Sequence, residues 1–342
     1  MKILFVSPLG FSITPQTRYA GIEKLVWYYS RELVKNHEVT VMGHADSIFP
    51  QGVKVFPHIP ENNQFDPELK HYQTYQSEFR KFDVIHDFSH LHLISRFNPN
   101  MPTLNIFWHA PALAKYEKAP YNIIALSKWA EREFRRIYHQ EAKYQYSIGI
   151  DTELYKLSNE PRNDRFFALG RMGAEKGNLE AAMFCKEMDV HLDIQGARGS
   201  EHSENDPLTD YEKQVLALCD DKQIKYLGDL PEPGKIKKLQ TSKALLYPTN
   251  HPEVTSHKNQ EAMLCGMPVI VSGIGAAPEL ITHGVNGYLC HNEDEFLWAM
   301  ANVDKLQPDK VYEEIKYRFD IKTVVADYIP LYEKVAGGLR WA

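Results

Sequence analysis

At 342 residues the chain is long enough for two domains of ordinary size, and a hydrophobic share of 43% supplies side chains for two substantial cores. A formal charge of −6 excludes general affinity for nucleic acid but leaves room for local basic patches. No segment approaches the roughly 18 consecutive apolar residues of a membrane-spanning helix, and the scattered Cys185, Cys219, Cys265 and Cys290 lack metal-ligand spacing, reading as reduced, partly buried thiols of a cytoplasmic protein.

The first element is Met1-Lys-Ile-Leu-Phe-Val-Ser7-Pro8. Its apolar run is too short for a signal peptide and no small-residue cleavage site follows, so it reads as a buried strand over Ile3–Val6. Gly21–Lys35 carries Ile22, Leu25, Val26, Tyr29, Leu33 and Val34 on one helical face. A glycine opens that helix, leaving its first amides free to point at a ligand. Further strands are expected at Val39–Met42, Val84–His86, Leu104–Phe107, Ile123–Leu126 and Tyr144–Ile148. Strands alternating with helical patterns are the signature of a parallel α/β architecture.

The polar stretch Ser158–Arg165 separates this series from a second one. Its strands are expected at Phe166–Leu169, Leu192–Ile194, Ile224–Leu227, Ala244–Tyr247 and Val269–Val271. Its helices are expected at Asn178–Met188, Thr209–Cys219, Pro233–Leu239, Lys258–Cys265 and Ala277–Ile281. The final run, Ile321–Val335, has apolar residues at 324, 325, 328, 331 and 332 and reads as a helix with one buried face. The expected domains are residues 1–155, 156–320 and a terminal helical segment, 321–342.

Two stretches of the second series carry chemistry. In the first, Gly170-Arg171-Met-Gly-Ala-Glu-Lys176-Gly177 follows a strand and precedes a helix. Strand, glycine-rich turn and helix form an anion-binding arrangement, because the helix N-terminus offers free amides and the positive end of a dipole. Arg171 and Lys176 add fixed positive charge. In the second, Glu253 and Glu261 lie eight positions apart, one in a loop and one in a helix, before Cys265-Gly266-Met-Pro-Val-Ile-Val-Ser272. Gly266 suits the residue after a helix end because it tolerates positive φ, and Pro268 cannot extend the helix. Ligands of open α/β sheets bind beyond the carboxyl ends of strands, and Glu253 lies just past such an end. Ionised carboxylates accept hydrogen bonds only, so the pair suits hydroxyl donors such as a sugar and a ribose.

The block from Glu253 to Ser272 resembles the retaining glycosyltransferases of family 4, whose signature is two Glu followed by Ala-x-x-x-Gly-x-Pro-Val, as here from Glu253 and Glu261. The Gly170–Gly177 turn is similar to that family's Gly-Arg-x-x-x-x-Lys-Gly pattern. The resemblance implies a GT-B architecture, an α/β fold of two Rossmann-like domains facing a central cleft, with the terminal helix returning to the first domain. It implies that Glu253 contacts the donor sugar, that Glu261 contacts the ribose, and that Arg171 and Lys176 grip the donor diphosphate beside Gly170. It also implies phosphate contact at Gly21 and a role for His109, at the end of the 104–109 run, near the donor sugar and the leaving phosphate. The chain departs from the family pattern in two places. Ala20-Gly21 replaces a pair of glycines, and Thr255-Ser256 replaces an aromatic residue and Gly, so Ser256 joins the donor-binding set in an altered loop.

The implied activity is transfer of a sugar from a nucleoside-diphosphate sugar to an acceptor hydroxyl with retention of configuration. The donor is expected to be a UDP-sugar, with GDP- and ADP-sugars as alternatives. The acceptor is a saccharide, a lipid-linked saccharide or a small molecule. No cofactor is expected, and no metal, since the chain has no Asp-x-Asp triplet and Arg171 and Lys176 stand where a metal would neutralise the diphosphate. Rival readings are a sugar phosphorylase, a nucleotide-sugar epimerase, or a module that binds nucleotide sugar without turnover. His86, which also ends a strand, is a weaker candidate, and Ser127-Lys-Trp129 is read as architectural. Lys128–Tyr138 places Lys128, Arg132, Arg135 and Arg136 among aromatics, but Glu131 and Glu133 interrupt the charge. A solvated helix packed by its aromatic side is therefore expected in preference to contact with the inner membrane face.

Overall fold

The computed structural model describes residues 1–14, 17, 20–58, 67–108, 119–144, 148–198 and 207–342. The chain divides into two units, Met1–Asp151 with Tyr317–Ala342, and Thr152–Lys316.

Unit 1 begins with β1 (Lys2–Val6), α1 (Gly21–Leu33), β2 (Glu38–His44), β3 (Lys54–His58), α2 (Pro67–Tyr75) and β4 (Val84–Asp87). It continues with α3 (Leu93–Phe97), β5 (Thr103–Ile106), β6 (Ile123–Ala125), α4 (Lys128–Tyr138) and β7 (Ala142–Tyr144). The strands form one parallel sheet in the order β3-β2-β1-β4-β5-β6-β7. Successive side chains of a strand point to opposite faces, and β1 uses both. Leu4 and Val6 pack with Met42, Ile85 and Ile94, while Phe5 turns to Tyr29 of α1, His86 and Phe88. Burial on both faces is why β1 reads as a continuous apolar run.

Unit 2 comprises β8 (Phe166–Leu169), α5 (Asn178–Glu187), β9 (Leu192–Gln195), α6 (Asp210–Leu218), β10 (Ile224–Tyr226), α7 (Glu232–Thr241) and β11 (Leu245–Tyr247). It is completed by α8 (His257–Leu264), β12 (Val269–Ser272), α9 (Ala277–Leu280), β13 (Gly287–Cys290), α10 (Glu293–Asn302) and α11 (Pro308–Glu313). Its parallel sheet runs β10-β9-β8-β11-β12-β13. Phe166, Ala168, Leu246 and Ile270 pack with Ala181, Cys185, Phe296 and Met300 in one core. All four cysteines are free, three of them buried. In both sheets the order reverses beside the first strand, between β1 and β4 and between β8 and β11. Open α/β sheets bind ligands at the carboxyl ends beside such a reversal.

The chain re-enters unit 1 where Ile150 donates to Phe319 O and accepts from Ile321 N. α12 (Ile321–Ala336) follows, capped by Asp320, whose side chain accepts from the amides of Lys322 and Thr323. Its Tyr328 and Tyr332 lie fully buried against His86, and Trp341 beyond it donates its indole N–H to Ile123 O.

The strands and helices expected from the sequence are present with ends shifted by a residue or two, with one correction. β7 spans Ala142–Tyr144, N-terminal to the expected Tyr144–Ile148, of which residues 145–147 lie outside the described residues, and it pairs with β6 through Ile123↔Ala142 and Ala125↔Tyr144. The sequence reading also missed β3 and β13. All three are edge strands. β3 carries Pro57, which an edge tolerates because one side has no partner to receive an amide. An edge strand needs partners on one side only, so its sequence need not be an unbroken apolar run.

Candidate functional site

At the reversal in unit 2, the turn after β8 faces the loop after β11. Thr249 Oγ1 donates to Glu175 O at 2.6 Å, and Asn178 Nδ2 donates to Arg171 O at 3.1 Å. Gly177, at φ 72°, lies so close to the second loop that a Cβ there would stand 2.1 Å from Pro248 O. Only glycine fits both the backbone angle and the approach.

Lys176 and Glu253 meet across this contact. Lys176 Nζ donates to Glu253 Oε1 at 2.7 Å, and the Tyr247 hydroxyl, at the end of β11, donates to the same oxygen at 2.6 Å. Burial works against ionisation of Glu253. The charges of Lys258 and Lys176, with the Lys176 and Tyr247 hydrogen bonds, outweigh it and hold the carboxyl down at about 2. Burial, then the Glu253 charge, pushes the Tyr247 phenol up, so it stays a hydrogen-bond donor. Arg171 turns to Glu175, with Nη2 at 2.5 Å from Oε1. Gly170, at the end of β8, opens this turn.

Glu261 lies one turn into α8 and is engaged differently. Lys235 of α7 donates to both its oxygens, at 3.0 and 3.1 Å. Burial alone would lower the Lys235 pKa, but Glu261 and Glu232 reverse the effect and raise it. Both carboxylates of the pair are therefore matched to a lysine, each with acceptor capacity left over, since a carboxylate offers about four lone-pair sites.

Tyr247, Thr249, His251, Glu253, Thr255 and Ser256 line a small recess together with Val271, Ile274 and Ala276. Ser256 is the N-cap of α8, yet its side chain makes no capping bond. Its Oγ and Asn259 Oδ1 are buried without a hydrogen-bond partner among the described residues. Such groups are unfavourable unless a ligand or water meets them.

The structure thus brings Gly170, Arg171, Lys176, Glu253, Ser256 and Glu261 together in unit 2. Gly21 belongs to unit 1, where it opens α1 in an exposed position with nothing within 4 Å of where a Cβ would stand. Ala20 before it is buried with an extended backbone, φ 164°. His109 lies outside the described residues. His86 is fully buried among Phe5, Phe88, Tyr328 and Tyr332, with Nδ1 2.8 Å from the Tyr332 hydroxyl. Burial lowers its pKa to about 3, so it is a neutral core residue and not a site residue. Ser127 accepts from Ala130 N and caps α4, consistent with an architectural reading. On α4, Arg136 pairs with Glu133 and Arg135 with Glu131, so much of the basic charge is matched on the helix itself.

Sequence reasoning did not find Tyr247, Lys235 or Lys258. Tyr247 and Lys235 come from other elements, and no spacing links them to the carboxylates. Lys258 lies between Glu253 and Glu261, and a lysine in the first turn of a helix was a signal within reach, because it opposes the helix dipole.

Residues 155–318 match the family described as "Glycosyl transferases group 1". The phosphatidyl-myo-inositol mannosyltransferase of Mycobacterium leprae is 24% identical over 390 aligned positions, covering 98% of this chain and 97% of that protein. Among solved structures, Anabaena Alr3699/HepE in complex with UDP and glucose superposes with a TM-score of 0.75 at 19% identity, covering 99% of this chain and 100% of the other. Sucrose-phosphate synthase from Thermosynechococcus elongatus superposes with a TM-score of 0.78 at 13% identity, covering 99% of this chain and 100% of the other. These likenesses establish the fold class as two Rossmann-like α/β units of GT-B type.

Proposed function

We propose, from the premise that residues 155–318 form a group 1 glycosyltransferase domain, that the chain transfers a sugar from a nucleoside-diphosphate sugar to an acceptor hydroxyl with retention of configuration and without a metal. The observation that carries this reading is the Lys176–Glu253–Tyr247 cluster beside Arg171, at the carboxyl ends of β8 and β11. It sets cations for a leaving diphosphate against a carboxylate for sugar hydroxyls.

In this reading donor binding exchanges partners. Lys176 and Arg171 turn from Glu253 and Glu175 to the diphosphate, and Glu253 takes up hydroxyls of the sugar. One preorganised donor at a developing charge is worth about 2.7–4 kcal/mol in the transition state. Glu261, steadied by Lys235, accepts from the ribose diol, and charged hydrogen bonds of this kind contribute roughly 1.5–3 kcal/mol each. Gly170 lets the backbone approach the phosphates, and the unpartnered Ser256 hydroxyl faces the donor. Phosphate contact by Gly21 and a role for His109 near the sugar rest on the family resemblance alone. Retention follows if the acceptor approaches the face that the diphosphate leaves, with a departing phosphate oxygen taking its proton. No protein nucleophile is then required. A uridine nucleotide is the proposed donor, supported by the complex of HepE with UDP and glucose. No helix among the described residues is long and apolar enough to cross a membrane.

The test is three incubations with the full chain: UDP-sugar alone, UDP-sugar with an acceptor panel, and sugar phosphate with orthophosphate. A new glycoside with the donor's anomeric configuration and free UDP is the expected result. Exchange into sugar phosphate, or epimerised donor with no acceptor product, would overturn the reading.

A further inference from the structure

Lys258 is the second residue of α8, and its ammonium turns back toward the end of β8. Nζ lies 2.9 Å from where a Cβ on Gly170 would stand. It lies 3.5 Å from the centre of the Tyr247 ring. It is shielded from solvent and has no hydrogen-bond partner among the described residues. A lysine used for packing lays its stem along apolar surface and keeps its ammonium in water. Here the ammonium is withheld from water, in the first turn of a helix whose dipole repels it. The ring face returns part of that cost as a cation–π contact.

The neighbouring charges explain why no carboxylate serves it. Arg171 is held by Glu175, Lys176 by Glu253, and Glu261 by Lys235. Among the described residues, Lys258 is the cation of this group that no carboxylate pairs. Burial lowers its pKa to about 7, with repulsion from Lys176 adding to the fall and attraction from Glu253, Glu175 and Glu261 opposing it. Nζ thus stands between Gly170, assigned to the phosphates, and Tyr247, whose hydroxyl holds Glu253, assigned to the sugar.

We propose that Lys258 is a third cationic contact for the donor diphosphate, bonding the phosphate that carries the sugar. This rests on the nucleotide-sugar reading above. The phosphate oxygens supply the acceptors that Nζ lacks, and the ammonium regains its full charge as the donor binds. Donor binding is therefore coupled to proton uptake. Near and above pH 7 the free protein holds Lys258 partly neutral and the bound protein holds it charged, so donor affinity falls as pH rises through that range, by up to tenfold per unit.

Calorimetry with UDP, UMP, UDP-glucose and UDP-glucuronate on wild type, Lys258→Met and Lys258→Arg tests this. Lys258→Met is expected to weaken UDP and UDP-glucose 10- to 100-fold (about 1.4 kcal/mol per tenfold) and UMP less than about threefold, with partial rescue in Lys258→Arg. At pH 8, wild type takes up a proton on binding UDP, and Lys258→Met takes up correspondingly less. Equal UDP affinity in wild type and Lys258→Met overturns the contact, as does equal weakening of UDP and UMP. A loss confined to UDP-glucuronate also overturns it, by reassigning the ammonium to a sugar carboxylate. If neither variant folds, absence of proton uptake by wild type at pH 8 overturns it alone. A wild type that binds no nucleoside diphosphate at all overturns the donor reading, and this contact with it.

Discussion

The two units share a strand order through their first six strands but treat their buried carboxyls in opposite ways. In unit 1 burial drives titratable groups toward neutrality. Glu23, in the first turn of α1, is raised to about 7, Asp87 at the end of β4 to about 6, and His86 is lowered to about 3. In unit 2 the equivalent strand ends hold charge. Glu253 is kept at about 2, and Lys235 is raised by its carboxylates. The difference lies in the partners and not in the depth. Asp87 receives hydrogen bonds from Ser89, with no cation among the causes of its shift, whereas Glu253 is flanked by two lysines. The same scaffold thus buries carboxyls away from cations in unit 1 and sets them against lysines in unit 2.

The largest effect that would sharpen this contrast is removal of a cation from unit 2. Arg171→Ala and Lys176→Ala should each lower kcat/KM by about 10²–10³-fold, the scale of one lost charge-stabilising donor. Near-normal turnover in both folded variants would dissolve the distinction between the units.

Separating the two carboxylates is a finer cut, on the order of tenfold. Glu261→Gln should narrow the affinity gap between ribose and 2′-deoxyribose donors. Glu253→Gln should instead change turnover and selection among sugars on one nucleotide. Equal responses of each variant to both donor series would refute the division of roles.

In unit 1 the contrast is read in stability. A histidine whose folded pKa lies below its unfolded value gives stability that is full above pH 6.5. It is lost as pH falls toward 3, because the unfolded chain takes a proton that the native chain refuses. His86 should contribute a slope of about 1.4 kcal/mol per pH unit across that window. Glu23 and Asp87 act with the opposite sign, so the quantity to measure is the difference between wild type and His86→Phe in urea unfolding from pH 4 to 7. Parallel pH profiles would show that His86 is not buried neutral.

The smallest expected effect is none. If Arg171 and Lys176 carry the diphosphate charge as proposed, transfer should survive EDTA unchanged. Loss of activity restored by Mn²⁺ or Mg²⁺ would show that the cations of unit 2 do not suffice.

Much of the fold was legible because its strands are short, buried on both faces and bounded by punctuating residues. Phe166–Leu169 was readable to the residue, and Gly266 has the positive φ, 70°, expected after a helix end. β3, β7 and β13 were obscure because an edge strand needs neither a continuous apolar run nor an unbroken set of amide donors. His86 misled because a histidine at a strand's end looks the same in sequence whether it faces a ligand or a core. Its partners, Tyr328 and Tyr332, lie more than two hundred residues away.

By itself the sequence determined which residue types stand at the carboxyl ends of which strands, because apolar periodicity and glycine placement are local properties. It therefore carried Gly170, Arg171, Lys176, Glu253 and Glu261 as candidates. Only the tertiary structure decided how these charges pair. The bonds of Lys176 to Glu253 and of Lys235 to Glu261 join residues 77 and 26 positions apart. The Lys258 ammonium ends beside Gly170 without a hydrogen-bond partner among the described residues. Pairing and burial depend on which loops the sheet order brings together, and electrostatic energies in a low-dielectric site change steeply with distances that no spacing along the chain encodes.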